Sequence, residues 1–166
     1  MSNAKATVYR FLSFLYQDEI LLAFIENMRA TPFIDQLSEA VANCSSAGFR
    51  SGLAKITTTL QGGSAQEIYE LRYEYAALFL NAGKNPVFPY ASCYVTGEPL
   101  VMQKSVFEIR RVYYDNGVHK NPAFPDLDDH IAVELEFMAY LADQQGTEEQ
   151  QAVFQVHHLG WTDAFC

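Results

Sequence analysis

Apolar residues recur along this chain at intervals of three and four, the period of helices that turn one face to a core. Val8, Phe11, Leu12 and Leu15 form a first face, and Leu21, Phe24, Ile25 and Met28 a second, with Asp18 able to cap between them. Thr31-Pro32 reads as a cap followed by proline at the first helical position, opening a helix through Ile34, Leu37 and Val41 to about Cys44. Phe49, Leu53, Ile56 and Leu60 predict a fourth helix, closed by Gly62-Gly63. Ser64 and Glu67 have capping-box spacing, in which each side chain bonds the other's backbone N–H. The helix they open has an apolar stripe (Ile68, Leu71, Tyr75, Leu78, Phe79) and a second apolar face (Tyr69, Tyr73, Ala76), which predicts a course through the middle of the molecule.

Further along, Met102, Val106, Ile109 and Tyr113 define a helix that ends at Gly117, the residue type suited to a left-handed cap. Ile131, Leu135, Met138 and Ala142, flanked by Phe137 and Leu141, define the most strongly patterned one. Thr147 to Gln150 opens a last helix, with Phe154, His158, Trp161 and Phe165 near one face. No segment alternates as a strand would. The expected fold is all-α, a single helical-bundle domain over residues 1–166.

Two loops carry the candidate chemistry. Residues 81–99 include the prolines Pro86, Pro89 and Pro99 and the aromatics Phe88, Tyr90 and Tyr94, and a loop of that length inside a compact domain is usually functional. Residues 117–128 lead through Pro122 and Pro125 to Asp126, Asp128 and Asp129, any of which can cap the helix from Ile131. His130 stands at the start of that helix and Glu134 one turn on, on the same side. Two readings are open for the Asp129-His130 pair: it orders the loop, or it meets a ligand.

Composition narrows the function. A net charge of −9 argues against nucleic acid, whose phosphates call for stripes of Lys and Arg, and suits a cationic peptide. Cys44, Cys93 and Cys166 are odd in number and far apart, without metal-ligand spacing, so a reducing cytoplasm is expected. No apolar run reaches membrane-spanning length, so no membrane insertion is expected.

Catalysis is not expected. Ser92 and Cys93, with His130 as base, are the only candidate nucleophiles, and nothing in the sequence activates them. A metal centre would have to combine His130 and Glu134 with His157 or His158, and Glu70 with Glu74 lacks the Glu-x-x-His partners of a di-metal bundle. No metal and no cofactor are expected.

From about Glu67 to Phe165 the residues resemble the TorD/DmsD-type redox enzyme maturation proteins, cytoplasmic chaperones of molybdenum-cofactor enzymes of anaerobic respiration. The resemblance begins with Tyr75, Leu78 and Phe79 at a helix end and Pro89, Tyr90 and Tyr94 in the aromatic loop. It continues through Pro125, Asp126, Asp129, His130, Ile131, Glu134, Leu135, Phe137 and Met138, and ends with His158, Leu159, Trp161 and Phe165. Each piece is short, and their order and spacing carry the specificity.

The resemblance implies an all-helical chaperone that binds the twin-arginine leader, and the catalytic subunit, of a molybdopterin-dependent oxidoreductase. It implies retention of that client until its cofactor is loaded. The leader-binding residues it points to are Asp126, Asp129, His130, Glu134, Tyr90, Tyr94, Pro89 and Phe79. The carboxylates would meet guanidinium groups and the aromatics an apolar segment. Some family members are linked to guanine nucleotides, but this sequence has no P-loop or glycine-rich phosphate cradle. Relatives typically continue into further helix after the position of Cys166, and without it apolar surface would invite a homodimer or helix exchange. The competing reading is a helical adaptor for another peptide, without catalysis.

Overall fold

The computed structural model describes residues 3–42, 46–98, 100–144 and 148–165. Its described residues form ten helices and no strand: α1 (Ala4–Gln17), α2 (Leu22–Arg29), α3 (Phe33–Ala42), α4 (Ala47–Gly62), α5 (Ala65–Phe79), α6 (Ser92–Val95), α7 (Lys104–Asp115), α8 (Ile131–Asp143), α9 (Glu148–His157) and α10 (Thr162–Phe165). The all-α expectation holds. The expected boundaries at Cys44 and Thr147 lie outside the described residues, as do Cys166 and Pro99.

The central pair is α1 against α8. Ala6, Ala139 and Ala142 are buried together, and their small side chains let the two helices approach closely. The pair is antiparallel and fastened at both ends. Asn3 caps α1 by accepting from the Lys5 N–H (3.0 Å), while its amide donates to the Ala142 carbonyl at the far end of α8 (2.8 Å). Near the start of α8, the Ser13 hydroxyl donates to the Ala132 carbonyl (2.7 Å) inside the core, so a buried hydroxyl finds its partner.

Two apolar clusters flank this pair. Phe11, Ile25, Leu37 and Leu53 join α1 to α2, α3 and α4, with Ile68 of α5. Ile109, Tyr113, Phe137, Met138, Phe154 and Trp161 join α8 to α7, α9 and the last segment. Leu12 touches both clusters. At the corner between α4 and α5, Arg29 donates to the Leu60 carbonyl (2.5 Å) and the Gly63 carbonyl (2.7 Å), satisfying acceptors that a helix C-terminus leaves open. The Ser64–Glu67 capping box is formed as the spacing predicts.

Several expectations are corrected. Helix α5 does not run through the middle: of its residues only Ile68 is buried, and Tyr69, Tyr73 and Leu78 are exposed. Its second apolar face is explained locally, because the Tyr73 hydroxyl donates to the Tyr69 hydroxyl one turn back (2.8 Å). Thr31 bonds backwards to the Met28 carbonyl (3.0 Å), and α3 begins at Phe33, one residue after Pro32. Met102 stands outside α7 with a positive φ of 62°. The helix begins later because the Gln103 amide folds back onto the carbonyls of Ser92, Glu98 and Leu100.

The expected last helix is two. The His158 N–H reaches back to the Phe154 carbonyl (2.8 Å), closing α9. The chain then turns through Gly160, where a Cβ would stand 2.8 Å from the Val156 carbonyl oxygen. Gly117, with φ 72°, ends α7 as predicted.

Ala139 is fully buried at the α1–α8 crossing. Replacing it with leucine should lower stability by about 1–3 kcal/mol through overpacking, read as a lower urea midpoint at unchanged m-value. The same substitution at exposed Ala152 should change little.

Candidate functional site

The two loops meet in a short backbone pairing. The Ile131 N–H donates to the Pro89 carbonyl (2.9 Å) and the Ala91 N–H to the Asp129 carbonyl (3.0 Å), an isolated antiparallel bridge between Tyr90 and His130. The Asp129 carboxylate accepts from the Ser92 N–H (2.8 Å), so it caps the short helix α6 rather than α8. Helix α8 is capped by His130 itself, whose Nδ1 accepts from the Ala132 N–H (3.1 Å). That bond requires an unprotonated Nδ1 and assigns the ring proton to Nε2.

Helix α7 braces this junction. Arg110 reaches one oxygen of Asp128 through two nitrogens (3.1 and 2.6 Å), and the Tyr113 hydroxyl donates to the Asp128 carbonyl (3.0 Å). The His130 ring makes edge contacts with both Tyr90 and Phe124, with centroids 5.1 and 5.3 Å away. Burial lowers its pKa from 6.5 to about 4, against a smaller opposing pull from Asp126, so the ring is neutral at pH 7.

The predicted site residues therefore divide into two groups. Pro89, Asp129, His130 and Glu134 are buried, the last three at 0, 3 and 1 % exposure. Asp126, Tyr90, Tyr94 and Phe79 are partly exposed. The Tyr90 hydroxyl donates to the Asp126 carboxylate, and burial followed by that bond pushes the tyrosine pKa up, keeping it a donor.

Glu134 belongs to the core. The Trp161 indole N–H donates to its carboxyl (2.9 Å), tying the segment before α10 to α8. Burial raises the Glu134 pKa well above 4.5, outweighing the Trp161 bond, and the Asp129 charge raises it further. Glu134 thus sits where the acid form is favoured, and its burial keeps it from any solvent-facing groove. Trp161 stacks on Tyr94 at 5.3 Å, and Phe165 packs against Tyr94, Tyr16 and Phe79. The aromatic loop, α1, α5 and the final segment share this one cluster.

Beside the cluster lies an acidic group that single-sequence reading missed. The Tyr75 hydroxyl donates to the Tyr16 carbonyl (3.0 Å). Its pKa is pushed up to about 12, first by burial and then by the charges of Asp18, Asp126 and Glu19. Glu19 accepts from Arg72 through two nitrogens (3.0 and 2.7 Å), so a guanidinium already sits at this edge. Asp18 is legible as a helix-end residue, but nothing local signals that it and Asp126, more than a hundred positions apart, both bear on Tyr75.

The rival chemistries are not assembled. The Ser92 hydroxyl is buried without a partner, and His130 Nδ1 is engaged by the Ala132 N–H. Burial and Asp129 raise the Cys93 thiol pKa, which disfavours the thiolate a nucleophile needs. Among the described residues no group of His, Cys, Asp or Glu is placed to hold a metal, and no helix is long and apolar enough to cross a membrane.

Comparison with known proteins agrees with this architecture. A family profile described as nitrate reductase delta subunit matches residues 42–166. The chaperone protein TorD of Shewanella sp. (strain ANA-3) is 31% identical over 148 residues, covering 86% of this chain and 68% of that protein. The TorD of Shewanella piezotolerans is 25% identical over 176 residues, covering 99% and 79%. A crystal structure of a protein described as a candidate redox enzyme maturation protein, from Archaeoglobus fulgidus, superposes with a TM-score of 0.54 at 20% identity, covering 95% of this chain and 82% of that one. Fold and sequence together define an all-helical protein of the TorD-like redox enzyme maturation class. The chain belongs to the nitrate reductase delta subunit family. The relatives are named as chaperones, in accord with a non-catalytic role.

Two pH-linked outcomes follow from the buried pair. The His130 pKa is depressed, so its contribution is present above pH 6.5 and lost as pH falls toward about 4, on the order of 3 kcal/mol. His130→Asn, which caps without titrating, should flatten the loss in urea titrations between those pH values. The Glu134 pKa is raised, so its contribution is present below pH 4.5 and lost as pH rises through the folded-state pKa. Glu134→Gln should therefore be at least as stable as the parent at pH 7. Glu134→Ala, which strands the buried Trp161 N–H, should cost about 2 kcal/mol or more.

Proposed function

We propose that this protein is a cytoplasmic chaperone that binds the twin-arginine leader of a molybdopterin-dependent oxidoreductase and assists cofactor loading before export. The observation that carries the reading is the Asp126–Tyr90 pair: Asp126, Asp18 and Glu19 all bear on Tyr75, whose ring packs on Phe79 of the aromatic cluster with Tyr94 and Phe165. A leader presents guanidinium groups next to an apolar segment, and this surface offers carboxylates next to aromatic faces. The Arg72–Glu19 pair supports the reading, because it shows a guanidinium accommodated at the same edge. The chaperone names of the relatives and the overall negative charge support it as well.

In this reading Asp126, Tyr90, Tyr94 and Phe79 touch the leader. Asp129, His130, Glu134 and Pro89 hold those four in place through the bridge, the two helix caps and the Trp161 bond. A neutral His130 adds no positive charge that would repel an arginine.

Calorimetric titration with twin-arginine leaders tests this. One leader should bind, its Lys-Lys variant should bind weakly, and Asp126→Asn should cost roughly ten- to hundredfold in affinity through loss of a charge-assisted bond. Tyr90→Phe should cost less. Equal binding of leader and Lys-Lys control would favour an adaptor for another peptide, and circular dichroism of the variants separates lost contacts from lost fold.

A further inference from the structure

Helix α7 turns one face into the core and leaves the opposite one exposed. Val106, Ile109 and Tyr113 are buried, and at 3.6 residues per turn Lys104, Glu108, Arg111 and Asp115 line up on the far side, all exposed. Phe107 and Tyr114 form a second row beside them, 57 and 59 % exposed. Val101 and Met102, just before the helix, are exposed as well, and the Arg110 guanidinium stands 5.7 Å over the Phe107 ring. Apolar surface of this extent marks an interaction site, and aromatic residues, Met and Arg are the types enriched at one.

The order of charges along the first row identifies the partner. From the N-terminus it runs plus, minus, plus, minus, and an antiparallel copy of the same helix presents minus, plus, minus, plus. About a two-fold axis between positions 109 and 110, Lys104 falls opposite the partner's Asp115 and Glu108 opposite the partner's Arg111. The same operation brings the two aromatic rows to one edge of the pair. Phe107 then lies beside the partner's Tyr114, offset by two residues or about 3 Å along the axis. Charge and aromatic placement thus select one register independently. The chain carries −9 overall, so copies repel one another in general, but this row holds two cations and two anions.

We infer that this face of α7 is where two copies of the chain associate, antiparallel and two-fold symmetric. Within each chain Lys104 meets Glu108 (2.7 Å) and Arg111 faces Asp115 (3.7 Å). Association joins such exposed pairs, which contribute little singly, into two four-charge networks. A pair of 12-residue helices is only about 18 Å long, so the contact is small and the dimer weak and concentration-dependent.

Sedimentation velocity on the chain alone, from about 1 μM to about 500 μM, tests this. The parent should shift to a dimer as concentration rises. Glu108→Lys and Arg111→Glu should each weaken association about tenfold or more, because like charges then meet twice across the axis. The double variant restores opposite charges across the axis but leaves both pairs within the helix broken. It should therefore recover association to within about threefold of the parent, which a purely helix-stabilising role would not do. Phe107→Ala should weaken association with circular dichroism unchanged. A parent that stays monomeric throughout overturns the inference, as does a dimer indifferent to both reversals or one that the double variant fails to restore. Should a reversal variant not fold, Phe107→Ala decides, and an unweakened dimer there overturns it. The readout needs no leader, so its outcome leaves the leader-binding reading untouched.

Discussion

The pairing of residues 89–91 with 129–131 is the constraint on which the site depends. It consists of two backbone bonds, and neither loop contributes a regular strand to it. What makes it stable is that both side chains next to it are used as caps. Asp129 closes α6, and His130 closes α8. Buried donors at helix starts are costly to leave open, so each cap fixes its loop as firmly as its helix. The Asp-His pair thus orders the two loops, next to the partly exposed Asp126 and Tyr90.

A second tie comes from the far end of the chain. Trp161 donates into α8 through Glu134 and stacks on Tyr94, bringing the final segment against the aromatic loop. Glu134 does this from a setting in which burial outweighs the bond that would favour its anion, which raises its pKa. Carboxyl groups in this protein therefore have two distinct jobs. Exposed ones carry the net negative charge, and the buried ones, Asp128, Asp129 and Glu134, are acceptors within the fold.

The helices were largely legible because helical periodicity is local: the α8 stripe, the Ser64–Glu67 box and the Gly117 terminator all follow from neighbouring residues. Legibility failed where tertiary partners overrode pattern. The two apolar faces of α5 suggested a central helix, yet Tyr69 and Tyr73 satisfy one another at the surface. The periodicity at Met102 gave way to the bonds made by Gln103. Within the site, order and spacing marked Asp126 to Glu134 as a unit but could not separate buried from accessible members. The shared bearing of Asp18 and Asp126 on Tyr75, and a cleft lined by Phe124, come from distant segments meeting, which leaves no local trace.

Helix α5 resembles a beam resting on two supports. At one end the Arg29 bonds and the capping box hold the corner with α4. At the other, Tyr75 bonds the end of α1 and Phe79 enters the aromatic cluster. Between the supports its outer face carries no load. The aromatic groups on that span, Tyr69 and Tyr73, lean on each other rather than on the core, so the height of the Phe79 end is set by Tyr16 and Phe165.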